Sequence, residues 1–171
     1  AKAMAGIGGF IAADTDVVDY LRYNMRSQTY AKSLPMPMVI GALKRLEMLK
    51  SMPSLRENLW NVVNALQKGL KDAGFNIGAT ESPVTPVYMS GGIIEATNLI
   101  LDLRENYNIF CSVVIYPVVP KGDILLRLIP TSMHNLEDVQ DTIAAYTECR
   151  TKLEAGEYKS DTFQDISALR V

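Results

Sequence analysis

The chain has 171 residues, of which 48% are hydrophobic and 21% are charged, so it is long and apolar enough to bury a core and is unlike a disordered chain. Its formal net charge is -2 and its pI is about 5.4, which argues against nucleic acid or an anionic membrane surface as the main partner. No apolar run approaches the ~20 residues that a membrane-spanning helix needs, so no transmembrane segment is predicted.

The first third of the chain is predicted to hold one strand and two helices. Residues 8–13, GGFIAA, are typical of a short buried strand that follows glycines. Apolar side chains at helical spacing then predict a helix over 16–26, which Asp14 or Thr15 could cap. A second helix is predicted over 36–50, with prolines in or just before its first turn.

The helix predicted over 54–73 has the most regular apolar stripe in the sequence, at i, i+4 and i+7 spacing. Ser54 and Glu57 have the spacing of a capping box at its start. Gly74 stands where a helix commonly ends in a left-handed residue.

The second half of the chain changes to alternating strands and helices. The predicted elements are a strand over 85–91, a helix over 92–106, strands over 110–117 and 123–130, and a helix over 136–153 that Asn135 caps with Asp138 at its third position. This order predicts an α/β fold of the α+β type, in which helices pack on a small, mainly antiparallel sheet. The strand and helices before it are expected to be connectors from a larger domain.

Three segments are expected. Residues 1–52 would be the remnant of a large domain with its connector helices, residues 53–155 a small α/β domain, and residues 156–171 a polar, loosely packed tail.

Neither the cysteines nor the histidine indicates a metal site. Cys111 and Cys149 lie far apart without a CxxC or Cys/His pattern. They are best interpreted as buried, reduced thiols of a cytoplasmic protein. His134 is the only histidine and is assigned to a loop before the last helix, because zinc would need three or four clustered ligands.

The first ten residues, AKAMAGIGGF, combine a lysine with closely spaced glycines. The spacing fails the GxGxxG fingerprint, since the third glycine would fall at Ile11, and it fails the P-loop, since the lysine precedes the glycines. Taken alone, a tight turn is the better interpretation. Lys2, however, has only small neighbours, and an amine with space around it can act as a nucleophile when its pKa is lowered.

Two further places could bind an anion. Arg127 stands in the apolar run LLRLI, where an unpaired buried charge would be costly. Three environments are possible: Arg127 pairs with an internal acid, it points out from an exposed strand face, or it binds a ligand carboxylate. Lys32 and Ser33 lie in a loop before a helix, where backbone N–H groups bind anions, although ordinary capping is the more frequent role.

Four segments together resemble the α-oxoamine synthases, a family of fold-type I pyridoxal-phosphate enzymes. They are AKAMAGIGGFIAAD, VVDYLRYNMRSQTYAKSLPMP, ESPVTPV and IYPVVPKGDILLRLIPTSMHN, which occur in the order of the family's own motifs over residues 1 to about 150. Each segment is weak singly, and only their combination is specific.

The resemblance implies a role for each candidate residue. Lys2 would hold pyridoxal phosphate as a Schiff base and act as the general acid/base, and Arg127 would bind the carboxylate of the amino-acid substrate. Lys32 and Ser33 would reach the cofactor phosphate of the other subunit of a homodimer. This loop departs from the family's pattern, because Ala31 or Lys32 stands where the family has Ser or Thr.

Members of this family condense a small amino acid with an acyl-CoA and release CO2. The segment DYLRYNMRSQTYAKSLP leans toward serine palmitoyltransferases, ahead of 8-amino-7-oxononanoate synthases and 2-amino-3-ketobutyrate CoA ligases. The resemblance also implies that the cofactor-stacking histidine lies upstream, so we expect a C-terminal part of a longer enzyme that is inactive alone. A fold-type I aminotransferase and a non-catalytic α/β binding or scaffold domain are the alternatives.

Overall fold

The computed structural model describes residues 4–159. The chain forms two compact units, with the boundary between Pro53 and Ser54. Between residues 4 and 159 there is no helix with the length and apolar character needed to cross a membrane.

The first unit contains three helices, α1 (Thr15–Asn24), α2 (Arg26–Thr29) and α3 (Met36–Ser51). Asp14 occupies the N-cap position of α1, although its side chain makes no capping hydrogen bond. The strand predicted over 8–13 is wrong: these residues adopt no strand conformation and pair with no strand in the described part of the chain. An apolar run becomes a strand only where a neighbouring strand accepts its backbone hydrogen bonds, and local sequence does not supply one.

The second unit alternates helices and strands in the predicted order. Its elements are α4 (Pro53–Asp72), β1 (Thr85–Ser90), α5 (Ile93–Tyr107), β2 (Ser112–Val114), β3 (Asp123–Leu128), α6 (Leu136–Ala155) and a 3-10 turn at Glu157–Lys159. The strands form one sheet in the order β1-β3-β2, and both pairings are antiparallel. Helices with a small antiparallel sheet are the fold that the sequence predicts.

One face of this sheet is buried and the other is open. Side chains alternate along β1 and β3, so that one set enters the core while Tyr88 and Arg127 remain exposed on the opposite face. The buried set joins the apolar faces of α4, α5 and α6 in one hydrophobic cluster. The side chains on the open face are therefore not part of the hydrophobic core.

Several element ends differ from the predictions. The helix α4 begins at Pro53, so Ser54 lies inside it and the predicted capping box is wrong. β2 is shorter than predicted because it pairs with β3 over only three residues. β3 ends at Leu128, and Pro130, which has no N–H to donate, lies outside it. The end of α4 agrees with the prediction, since Gly74 is left-handed with φ +80°.

The start of α6 is capped as predicted. The Asn135 Oδ1 atom accepts hydrogen bonds from the backbone N–H groups of Glu137 (2.7 Å) and Asp138 (3.1 Å). The Asp138 carboxylate in turn accepts one from the Asn135 N–H at 2.8 Å. These bonds satisfy N–H groups that a helix start otherwise leaves without acceptors.

We therefore expect Asn135→Ala to lower the free energy of unfolding of the 171-residue chain by about 1 kcal/mol in urea denaturation. Asn61→Ala is the matched control, because Asn61 is exposed in the interior of α4. There alanine is the better helix former, so the control should be neutral or slightly stabilising. Equal losses from the two substitutions would contradict a capping role.

The chain does not loosen directly after α6, contrary to the expectation of a loose tail from residue 156. Tyr158 is only 6% exposed, its carbonyl accepts a hydrogen bond from Asn98 at 2.9 Å, and its hydroxyl donates one to Asp102. A single tyrosine with two hydrogen-bond partners on α5 is enough to fix this turn. The rest of the predicted tail lies outside the described residues.

Asp102 is the centre of a polar network between α5, α6 and this turn. Its carboxylate accepts hydrogen bonds from Tyr158, from Asn106 at 2.6 Å and from the Lys152 ammonium at 2.9 Å. Burial alone would raise the pKa of Asp102, but these hydrogen bonds and the Lys152 charge outweigh burial and lower it. The pKa of Lys152 is raised by its hydrogen bonds to Tyr107 and Asp102. The pair is therefore held in its charged form.

Both cysteines are buried free thiols, as the sequence predicts. Burial raises the pKa of each thiol, which disfavours the reactive thiolate. Neither cysteine is a candidate nucleophile.

Candidate active site

The segment that follows Lys2 packs through its glycines. Lys2 itself lies outside the described residues. A Cβ atom on Gly8 would come within 3.1 Å of the Leu34 side chain, and Gly8 has φ +117°. That φ suits glycine, and the missing Cβ lets Leu34 approach the backbone. Gly8 therefore acts as a packing position within the first unit instead of turning the chain into a strand, whereas a Cβ on Gly9 would meet nothing within 4 Å.

The contact between Leu34 and Gly8 holds the loop between α2 and α3 beside the same segment. Lys32 and Ser33, immediately before Leu34, are both exposed. Within the described residues Lys32 forms no ion pair. An ammonium and a hydroxyl group are thus available at adjacent positions of an exposed loop.

Arg45 on α3 also approaches the glycine segment. A Cβ atom on Gly6 would come within 3.0 Å of one of its terminal Nη atoms, and a Cβ on Gly41 within 3.1 Å of the other. The Nε atom is buried and has no hydrogen-bond partner within the described chain. A guanidinium group therefore lies against the backbone four residues after Lys2.

Arg127 belongs to the second unit and lies on the open face of the sheet. Its Nε atom donates a hydrogen bond of 3.0 Å to the Ser112 hydroxyl, and Ser112 is its direct neighbour across β2 and β3. No acidic residue between 4 and 159 forms an ion pair with it. Among the described residues no internal acid pairs with Arg127, which leaves an exposed strand face with the terminal Nη atoms available to a ligand.

Sequence reasoning missed Ser112 and Arg45. The contact of Ser112 depends on the register of two strands that are distant in sequence, which no local pattern shows. For Arg45 a signal existed: Gly41 stands inside a helix, where glycine costs about 1 kcal/mol relative to alanine. A glycine at such a position indicates a close approach by another group.

His134 lies where the sequence places it, in the loop before α6. Its Nδ1 atom accepts a hydrogen bond of 2.9 Å from the Thr131 N–H. The ring is thus engaged in local loop structure. Because this is the only histidine in the chain, no other residue of this chain offers an imidazole to a ligand.

The chain is similar to a group of known enzymes over most of its length. The family described as aminotransferase class I and II matches residues 1–145. The chain is 58% identical over 160 residues to a cysteate-C-fatty acyltransferase from Capnocytophaga ochracea, covering 94% of this chain and 38% of that protein. It is 34% identical over 142 residues to a serine palmitoyltransferase from Sphingobacterium spiritivorum, covering 83% of this chain and 35% of that protein.

A solved structure agrees at the level of the fold. The Sphingomonas wittichii serine palmitoyltransferase superposes with a TM-score of 0.79 at 24% identity, over 89% of this chain and 38% of that chain. The present chain thus spans little more than a third of the length of its relatives, and the resemblance found in the four sequence segments is confirmed. The chain belongs to the aminotransferase class I and II family.

Proposed function

We propose that the protein containing this chain is a pyridoxal-phosphate-dependent acyltransferase that joins a fatty acyl group from acyl-CoA to the α-carbon of cysteate. The observation that carries this proposal is the 58% identity to a cysteate-C-fatty acyltransferase over 94% of the chain. Serine is the second candidate substrate, supported by the 34% identity to a serine palmitoyltransferase and by the motif DYLRYNMRSQTYAKSLP.

Arg127 is proposed to bind the α-carboxylate of the amino acid. Its Nε atom is occupied by Ser112, and this bond orients the plane of the guanidinium group. The terminal Nη atoms then offer the parallel donors that a carboxylate accepts in bidentate fashion. An arginine that is held in place by a neutral hydroxyl keeps its charge available for the substrate.

Lys2 is proposed to be the lysine that carries the cofactor and moves the substrate's α-proton. The donors beside its segment fit an anionic group, because Lys32 and Arg45 form no ion pair within the described residues and Ser33 adds a hydroxyl group. Of these, Lys32 and Ser33 are proposed to contact the cofactor phosphate, in a homodimer. Pyridoxal phosphate, when bound, supplies an electron sink for the negative charge at the α-carbon.

The proposed reaction balances with these groups. The α-carbon of the amino acid forms a bond to the carbonyl carbon of the acyl group, and the thioester C–S bond breaks to release CoA as its thiol. The bond from the α-carbon to the carboxylate breaks to release CO2, and a proton takes its place. The Lys2 amine is the group of this chain that can remove and return protons at that carbon.

The exposed surface of the first unit supports membership of a larger enzyme. None of its three helices contains a buried residue. The apolar stripe of α3 is exposed at Ile40 (60%) and Leu43 (63%). Contiguous apolar surface of this kind is normally covered by further protein. This disfavours a stand-alone scaffold domain.

Product analysis of the full-length protein with pyridoxal phosphate and palmitoyl-CoA tests the proposal. We expect L-cysteate to give equimolar CO2, free CoA and an acylated product that retains the amine. L-serine should react more slowly. Transfer of the amino group to a keto acid without release of CO2 would establish an aminotransferase instead, and no reaction with either amino acid would contradict the acyltransferase proposal.

A cytoplasmic location of the protein is likewise a proposal. Fractionation of the native cell tests it.

The assignment of Lys2 has its own test. Borohydride reduction of the full-length holoprotein followed by peptide mass spectrometry should place the phosphopyridoxyl group on the peptide that contains Lys2. The exposed Lys50 serves as the internal control and should remain unlabelled. A label on any other lysine would remove Lys2 from its proposed role.

A further inference from the structure

Arg45 is half-buried, whereas the other basic residues described in the first unit are exposed. Arg22 is paired with Asp19 at 3.2 Å, and Lys44 with Glu47 at 3.0 Å, and all four side chains are half or more exposed. Arg45 is half-buried and forms neither an ion pair nor a side-chain hydrogen bond within residues 4–159. Its charge therefore has no compensating partner in this part of the chain.

Two glycines make the seat in which this guanidinium lies. A side chain on Gly6 or Gly41 would meet its Nη atoms at 3.0 Å and 3.1 Å, so each missing Cβ leaves room for the planar group. Gly41 stands inside α3, where replacing alanine by glycine costs about 1 kcal/mol. The glycine at position 41 therefore destabilises α3 locally but leaves space for the Arg45 guanidinium group.

The buried Nε–H group gives the second observation. A buried donor without an acceptor costs about 1–3 kcal/mol, more for a charged group. A cation that is half-buried, seated against backbone and short of an acceptor favours binding of an anion. Because the seat includes Gly6, the anion would lie beside the segment that carries Lys2.

We propose that Arg45 is a specificity-determining residue that binds a tetrahedral oxyanion, the sulfonate of the amino-acid substrate. This inference rests on the proposed function. Cysteate carries two anionic groups, a carboxylate and a sulfonate, whereas serine carries only the carboxylate. A guanidinium fork matches a sulfonate, so Arg45 would recognise the group that cysteate has and serine lacks. The cofactor phosphate is the other oxyanion that Arg45 could bind, and the experiment separates the two.

The experiment compares Arg45→Gln with the wild-type full-length holoprotein. Dissociation constants for L-cysteate and L-serine are measured from the change in absorbance of the bound cofactor, without acyl-CoA. We expect the constant for cysteate to rise about 10- to 100-fold and that for serine to change less than about twofold, because a charge-assisted hydrogen bond is lost only with cysteate. Lys50→Gln removes one positive charge from the same helix at an exposed position and should change neither constant.

A titration of the apoprotein with pyridoxal phosphate identifies the source of the oxyanion. If cofactor affinity falls tenfold while the ratio of the two amino-acid constants is unchanged, Arg45 binds the phosphate and the sulfonate assignment is overturned. If neither cofactor nor amino-acid binding changes, Arg45 is not an anion-binding residue. Arg45→Lys keeps the charge but not the fork, so it should show a smaller cysteate-selective loss. It replaces Arg45→Gln if thermal unfolding shows that variant to be unfolded.

Failure of the proposed function gives a different result. If the wild-type protein neither binds nor turns over cysteate, the substrate assignment is wrong whatever Arg45 does. The proposal that Arg45 binds the substrate's sulfonate is then also wrong. The cofactor titration of Arg45→Gln still decides whether Arg45 binds an oxyanion.

Discussion

Arg127→Gln is expected to lower kcat/KM for the amino acid in the full-length enzyme by on the order of 10²- to 10³-fold. The loss corresponds to two charge-assisted hydrogen bonds to the carboxylate, together about 3–4 kcal/mol. Most of it should appear as a rise in KM for the amino acid, with KM for acyl-CoA unchanged. Steady-state kinetics with each substrate varied in turn measures both effects.

Two further variants separate binding from a general loss of charge. Arg127→Lys keeps the charge without the bidentate fork, so we expect an intermediate loss. Arg104→Gln removes a charge from an exposed position of α5 in the same unit and should leave KM unchanged. An Arg127→Gln enzyme with normal KM for the amino acid would show that Arg127 is only an exposed side chain of the sheet.

Ser112→Ala is expected to lower kcat/KM by about threefold to tenfold, the value of one modest hydrogen bond. Ser112 donates nothing to the substrate in this proposal. It accepts the Arg127 Nε–H at 3.0 Å and positions the guanidinium. The variant's loss should therefore vanish in an Arg127→Gln background, and an additive loss would contradict a positioning role.

Asp102→Asn is expected to lower the free energy of unfolding of the 171-residue chain by about 2–3 kcal/mol at pH 7. The side chain of Asp102 is 11% exposed and that of its partner Lys152 is 26% exposed. Neutralising the acid leaves the Lys152 ammonium, which also donates to Tyr107 at 3.0 Å, with only the more distant and exposed Glu148 carboxylate, at 3.8 Å, as its counter-charge. Urea denaturation followed by circular dichroism gives the difference.

The same pair predicts a dependence on pH. Because the pKa of Asp102 is lowered in the folded chain, the unfolded chain binds the proton first as the pH falls. The stabilisation by the charged carboxylate is complete above the ordinary aspartate pKa of 3.8. It is lost as the pH falls below 3.8 and through the lower pKa that Asp102 has in the folded chain. The difference between wild type and Asp102→Asn should therefore be largest near neutral pH and shrink toward pH 3.

Two matched comparisons control the stability prediction for Asp102: an exposed ion pair against the buried one, and a tyrosine hydroxyl without a partner against one bonded to Asp102. Asp72→Asn breaks an exposed i,i+4 pair with Lys68 and should cost less than about 0.5 kcal/mol. Tyr158→Phe removes a hydroxyl bonded to Asp102 and should cost about 1.5–3 kcal/mol. Tyr146→Phe removes a buried hydroxyl that has no partner within the described chain and should be neutral or stabilising. Similar losses in all these variants would show that the network adds nothing beyond burial.

Local signals were sufficient for most elements of the second unit. The helix α4 follows from its apolar stripe and from Gly74, and the start of α6 follows from Asn135 and Asp138, because stripes and caps act within a few residues. The antiparallel sheet could be expected from the order of strands and helices. The family resemblance came from four short segments, none of which depends on long-range contacts.

Tertiary structure decided the features that depend on neighbours distant in sequence. The run GGFIAA has the composition of a strand but forms none, because strand formation requires a partner with free backbone groups. The length of β2 is set by its pairing with three residues of β3. Tyr158 is fixed by Asn98 and Asp102, which precede it by more than fifty residues.

The sequence by itself determined the family, the order of helices and strands in the second unit, and Lys2 and Arg127 as the candidate residues. It left Arg127 with three possible environments, because the partner of a strand residue is set by register. Only the folded sheet shows that Ser112, and no acid, meets Arg127 in the described chain. Only the packed first unit places Arg45 against Gly6 and Gly41. Side-chain type is local information, whereas the partner that satisfies a buried charge is a property of the whole fold.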